Sequence, residues 1–152
     1  MPTIFTRIIR GEIPSYRIAE DDFFYAFLDI NPLARGHALV VPKKETDYIF
    51  DIEDAELGNM MKFAKKLAHA IEKVVPCKKV GIAVVGLEVP HAHIHLIPIN
   101  DIGDINFARP KLKLSTEEFS DRANLTGCGT RVPATGPFLG GPVAEAPLFE
   151  RL

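Results

Sequence analysis

His91-Ala92-His93-Ile94-His95-Leu96-Ile97 places three of the chain's five histidines at alternate positions. With Glu88-Val89-Pro90 before it and Pro98-Ile99 after, the stretch predicts an extended apolar strand over residues 90–98. Successive side chains of a strand point to opposite faces. The three imidazoles are therefore expected on one face, with Ala92, Ile94 and Leu96 on the other. Imidazole titrates near pH 6.5, so such a row can supply a nucleophile, an acid and a hydrogen-bond donor side by side. Zinc is the competing use, but histidines at i, i+2 and i+4 of one strand span about 13 Å. That is too long for one ion, and a closed tetrahedral site would need ligands from elsewhere. Catalytic use is favoured.

The neighbouring segments supply the rest of a sheet. Val80-Gly81-Ile82-Ala83-Val84-Val85 reads as the strand before the histidine row. Upstream, Tyr16–Glu20 and Phe23–Asp29 are strand-like, with Asp21-Asp22 as a two-residue hairpin turn. His37-Ala38-Leu39-Val40-Val41-Pro42 is a third apolar strand, starting after Arg35-Gly36. Leu57, Met60, Met61, Ala64, Leu67, Ala68, Ile71 and Val75 then recur at helical spacing. Asp51, with Asp54 three residues on, predicts the N-cap of one long helix over about 52–75. His69 falls off that stripe and reads as solvated. Ile4, Phe5, Ile8 and Ile9 predict a short N-terminal helix stopped at Gly11. Ser115 and Glu118 resemble a capping box opening a short helix through about Asn124. The expected fold class is α+β, an antiparallel sheet of about five strands with the long helix on one face.

At 152 residues and 47% hydrophobic, the chain can bury one substantial core. A net charge of −2 argues against a nucleic-acid partner, which needs a basic surface. Cys77 and Cys128 form no Cys-x-x-Cys pair, and a reduced, cytoplasmic setting is expected. No stretch has the pattern of a signal peptide or the length of a membrane span, so no membrane partner is expected. The composition changes at Gly127. Gly136-Pro137 and Gly140-Gly141-Pro142 belong to a Gly/Pro-rich segment without lysine. Residues 1–126 are read as the domain and 127–152 as an irregular tail.

The alternating row, with apolar residues between and after the histidines, resembles the motif of the histidine triad (HIT) family. The likeness extends to Thr3–Pro14, Ala26–Pro32, Gly36–Lys44 and Gly86–His91, and follows the branch of histidine-triad nucleotide-binding proteins over about residues 3–100. The resemblance implies a HIT-like fold, a homodimer with a joined sheet, a purine nucleotide substrate, and no cofactor. It implies that His93 attacks an α-phosphorus to give a nucleotidyl-imidazole that water then hydrolyses. His95 and His37 would hydrogen-bond phosphoryl oxygens or the leaving group, and His91 would orient the row. Asp29 would accept hydrogen bonds from ribose hydroxyls. Phe5, Ile8, Phe27, Ile30 and Leu39 would line the purine pocket. The implied reaction is hydrolysis of a purine nucleoside phosphoramidate or related nucleotide, releasing AMP or GMP.

Three departures bear on that expectation. Where many relatives carry two cysteines and a histidine that bind structural zinc with the first triad histidine, this chain has Thr3, Thr6 and Glu45. Hydroxyls and a carboxylate are poor substitutes for thiolates and imidazole, so no metal is expected. Residues 80–86 contain no Asn to contact phosphate, and Leu87-Glu88 stands where Gln and, in some relatives, Ser are found. Glu88 is expected to offer only backbone or to point away. Two alternatives stay open: a dinucleoside-polyphosphate hydrolase or nucleotidyl transferase of the same superfamily, and a nucleotide-binding interaction protein with little turnover. Transferases usually replace the third histidine with Gln, so His95 argues for hydrolysis.

Overall fold

A computed structural model describes residues 1–126; the tail expected at 127–152 lies outside the described residues. Five strands, β1 (Arg17–Glu20), β2 (Phe24–Leu28), β3 (Ala38–Pro42), β4 (Lys79–Ala83) and β5 (Ile94–Ile99), pair antiparallel in the order β1-β2-β3-β5-β4. Alternation along the strands gives the sheet two distinct faces. On one, Phe24, Ala26, Val40, Ile94 and Leu96 join Met60, Leu67 and Ile71 of α2 (Asp54–Val74) in the main core. The other carries Tyr25, Phe27, Leu39 and Val41, packed against Phe5 and Ile8 of α1 (Ile4–Ile9). His95 lies directly opposite Leu39 in the β3–β5 register and so shares this second face.

The expected class is the observed one, and the differences lie at element ends. The long helix begins at Asp54 with Glu53 at its N-cap position, and Asp51 ends a short 3-10 turn, Ile49–Asp51. The helical stripe turns slightly from the expected one: Phe63 is buried and Met61 is 44% exposed. The β1–β2 connection is wider than a two-residue turn. Asp21 Oδ1 accepts from the Phe23 and Phe24 amides at 2.8 and 2.7 Å, which draws Phe23 out of the strand. β4 stops at Ala83, leaving Val84 and Val85 beyond the ladder. The expected capping box holds: Glu118 accepts from Ser115 N at 2.9 Å and Ser115 Oγ from Glu118 N at 3.2 Å, opening α3 (Thr116–Thr126).

Gly36 decides how the chain enters β3. Its φ is 88°, and an added Cβ would lie 2.7 Å from Val75 Cγ2 at the end of α2. Both conditions favour glycine, and the next residue is His37. Gly36→Ala is expected to cost about 2 kcal/mol in urea unfolding. Gly58→Ala, in α2 with nothing near its Cβ, should gain up to about 1 kcal/mol. Equal effects at the two positions would contradict this account of Gly36.

Candidate active site

The expected strand over 90–98 begins only at Ile94, so His91 and His93 precede it. The cause is local. His91 N donates to Val89 O at 2.8 Å and Ala92 N to Thr46 O at 2.7 Å, so the backbone is bonded to its own turn and to the loop after β3. The three imidazoles still gather on the α1 side of the sheet. The Phe5 ring meets His91 and His93 at centroid distances of 5.8 and 5.0 Å, and His93 meets His95 at 4.7 Å.

The hydrogen bonds assign each ring its proton. Leu33 N–H donates to His37 Nδ1 at 3.0 Å, so that nitrogen is a lone pair and the His37 proton sits on Nε2. His37 Nε2 lies 2.9 Å from His95 Nδ1 and donates to it. His95 then carries its proton on Nε2, unclaimed by any described residue. His93 is set the other way. Its Nδ1 lies 2.7 Å from the His91 carbonyl, which can only accept, so His93 Nε2 keeps the lone pair. Two adjacent imidazoles thus present opposite functions, one a hydrogen-bond donor and one an acceptor. Burial drives the His37 pKa down to about 4 and the His95 pKa to about 3, which keeps this pair neutral. Both nitrogens of His37 are engaged within the protein. It supports His95, where the resemblance implied direct contact with substrate.

His91 is tied by a polar knot. Its Nε2 donates to Pro42 O at 2.8 Å, and its Nδ1 accepts from the Thr3 hydroxyl at 2.8 Å. Thr3 Oγ1 caps α1 by accepting from Thr6 N at 3.1 Å. Glu45 accepts from Thr3 N at 3.0 Å and from the Thr6 hydroxyl. Those two bonds, the hydroxyl first, hold its carboxyl below the usual range. Thr3, Thr6, Glu45 and His91 do converge, but the set contains no thiolate and both His91 nitrogens are committed. It does not fit zinc. A second cluster, Asp29, His37 and His95, brings its ligand atoms within 4.8 Å. The proton that Leu33 forces onto His37 Nε2 sits on the atom a metal would need.

Asp29 follows β2 beside this pair, with Oδ2 3.6 Å from His37 Nε2 and Oδ1 accepting from Asn31 N at 2.9 Å. Burial raises its pKa. Phe5, Ile8, Phe27 and Leu39 form one buried cluster under the histidines, whereas Ile30 stands apart, 63% exposed. Glu88 is exposed, and its negative charge still acts on Asp29. His69 is exposed on α2 and pairs with Glu72 at 3.3 Å. Sequence reading missed Phe107 and Lys111. The Phe107 ring lies 4.8 Å from the His95 ring, and Lys111 Nζ sits 5.5 Å from the Phe107 centroid. Their segment has no periodicity or motif to mark it.

The HIT domain family pattern matches residues 10–102. The chain belongs to the HIT family. An uncharacterised HIT-like protein of Borreliella burgdorferi is 37% identical over 78% of this chain and 91% of its own length. The adenosine 5′-monophosphoramidase HNT1 of Saccharomyces cerevisiae is 42% identical over 64% of this chain, which spans 63% of that protein. The crystal structure of a Hit-like protein from Bartonella henselae superposes with a TM-score of 0.70 at 32% identity, covering 82% of this chain and 93% of that one.

The depressed histidine pKa values make the stability of this HIT protein pH-dependent. Below about 6.5 the unfolded chain takes up protons that folded His37 and His95 refuse. Their contribution is complete above that pH and is lost as pH falls toward about 4 and 3. Asp29, raised by burial, acts in the opposite sense above its ordinary value. The His37 shift, from 6.5 to about 4, corresponds to roughly 3 kcal/mol at most. Melting temperature should fall between pH 6.5 and 4, and His37→Gln, which can still accept and donate, should flatten that slope. An unchanged slope in the variant would refute the assignment.

Proposed function

We propose that this HIT protein hydrolyses purine nucleoside 5′-phosphoramidates and related nucleotides at the α-phosphorus, releasing AMP or GMP through a nucleotidyl-His93 intermediate. The observation that carries this reading is the pair of opposite tautomers, His93 with a free Nε2 lone pair beside His95 with a free Nε2–H. The His93 Nε2 lone pair bonds to phosphorus as the phosphorus–nitrogen bond to the leaving amine breaks. The amine keeps that electron pair and takes up a proton. Water then attacks phosphorus, the bond to Nε2 breaks, and the nucleotide leaves with His93 restored. His95 donates to a phosphoryl oxygen where charge builds up, and its neutral partner His37 holds it in position. Asp29 accepts from the ribose hydroxyls. Phe5, Ile8, Phe27 and Leu39 form the apolar wall for the purine, with Ile30 at the mouth. The phosphoramidase name of the yeast relative supports the same substrate class.

The absence of Asn from residues 80–86, together with Glu88 near Asp29, favours a second reading: a nucleotide-binding interaction protein with little turnover. Adenosine phosphoramidate separates the two. The native protein should release AMP, and His93→Ala should lose about a thousandfold in rate. Turnover that survives the substitution would remove His93 as nucleophile, whereas tight AMP binding without turnover in the native protein would select the second reading.

A homodimer joined at β4 belongs to this proposal. β4 is an edge strand, and an apolar cavity of about 450 Å³ beside it is lined by Tyr48, Phe50, Met61, Val85 and Leu87 among others. Leu87 is 89% and Phe50 73% exposed. An edge unpaired among the described residues, with apolar neighbours, suits a second copy of the chain. Among the described residues no helix is long and apolar enough to cross a membrane. Cys77 has no disulfide partner among the described residues, which is compatible with a reduced, cytoplasmic setting. Native protein should sediment as a dimer, and Leu87→Glu combined with Val85→Glu should shift it to monomer. A native monomer at micromolar concentration would exclude this arrangement.

A further inference from the structure

The proposed phosphate site is short of positive charge. His95 offers one neutral donor, while Asp29 lies beside it and the Glu88 charge reaches it. The chain after β5 crosses the same sheet face as the histidines and is tied at several points. An added Cβ at Gly81 would lie 2.4 Å from Ile105 Cδ1, so the bare glycine of β4 lets Ile105 sit on this face. Asp101 and Asp104 cap each other's turn, Arg109 Nη1 donates to Gly103 O at 2.8 Å, and Leu112 N donates to Pro32 O at 2.8 Å. Phe107 is thereby held against His95, with a ring distance of 4.8 Å, and 6.4 Å from His37.

We propose that Lys111 is a phosphate-binding residue of this site, its ammonium meeting a phosphoryl oxygen of the bound nucleotide from above Phe107. The inference rests on the nucleotide reading of the previous subsection and deepens it. Lys111 Nζ lies 5.5 Å from the Phe107 centroid and donates to the Phe107 carbonyl at 2.5 Å and, more weakly, to the Arg109 carbonyl at 3.5 Å. Both partners are neutral, so the charge of the ammonium is not cancelled by them. An ammonium has three donors on a flexible stem, and a phosphoryl oxygen is a stronger acceptor than a carbonyl. The Lys111 charge already acts on the site: beside the larger effect of burial, it adds to the lowering of the His37 and His95 pKa values and opposes the rise at Asp29. A cation held there offsets Asp29 and Glu88 and does part of the work of the missing Asn. Phe107, whose ring meets that of His95, holds the ammonium by a cation–π contact.

The test compares AMP and adenosine, which differ by the phosphate, on the full chain as native protein, Lys111→Met and Lys111→Arg. Ligand-observed NMR reads binding even when adenosine is weak. Lys111→Met should weaken AMP by about tenfold or more at low salt and leave adenosine within about twofold. Lys111→Arg should keep most of the AMP affinity, and the Met defect should shrink in half-molar salt as the charge is screened. An equal loss for both ligands would show that Lys111 only holds the segment in place, and no loss for either would show that it contacts no ligand. Both results overturn the proposal while leaving the nucleotide reading intact. A native protein that binds no AMP overturns both.

Discussion

The hydrogen bond from the Leu33 amide to His37 Nδ1 sets the chemistry of half the site. A backbone N–H can only donate, so His37 has no choice of tautomer and cannot be protonated on both nitrogens without losing this bond. The constraint passes through Nε2 to His95, which is left with its proton on Nε2. The His91 carbonyl imposes the opposite state on His93. Two chemically identical side chains, 4.7 Å apart, are thereby differentiated, His93 directly by a main-chain carbonyl and His95 by a main-chain amide acting through His37. Burial reinforces the arrangement, because a charged imidazole would be poorly solvated there.

The placement of those main-chain groups depends on parts of the chain that touch no substrate in this scheme. Gly36, with its left-handed backbone, lets the chain turn past Val75 into β3 and brings His37 to its position. At the other end, His91 is held by Pro42 O and by Thr3, and Thr3 caps the helix that carries Phe5 onto His93. The Thr3, Thr6, Glu45 and His91 knot therefore joins three distant segments by directional hydrogen bonds.

Much of the fold was legible in the sequence. The histidine alternation leading into β5 and the helical stripe in α2 are periodic, and periodicity is set by backbone geometry, while β2 and β3 are short continuous apolar runs. Element ends were less legible, because they depend on which backbone groups find partners. Asp21 widens a turn by accepting two amides, and the bond from Ala92 to Thr46 keeps His91 and His93 off the ladder. Within the site, the histidines and Asp29 stand out as residue types in a pattern. Phe107 and Lys111 do not, since they lie in an aperiodic segment whose approach to His95 depends on Ile105 packing over Gly81.

The sequence by itself determined that Ile94 and Leu96 would turn to one face of a strand and His95 to the other, because side-chain alternation needs no knowledge of the neighbours. It also determined that Thr3, Thr6 and Glu45 could not supply thiolate or imidazole to a metal. Only the tertiary structure decided which nitrogen of each ring carries the proton, that His37 serves His95, and that Lys111 stands beside the site. Those outcomes depend on donors and acceptors brought together from distant segments of the chain, with separations that no local pattern encodes.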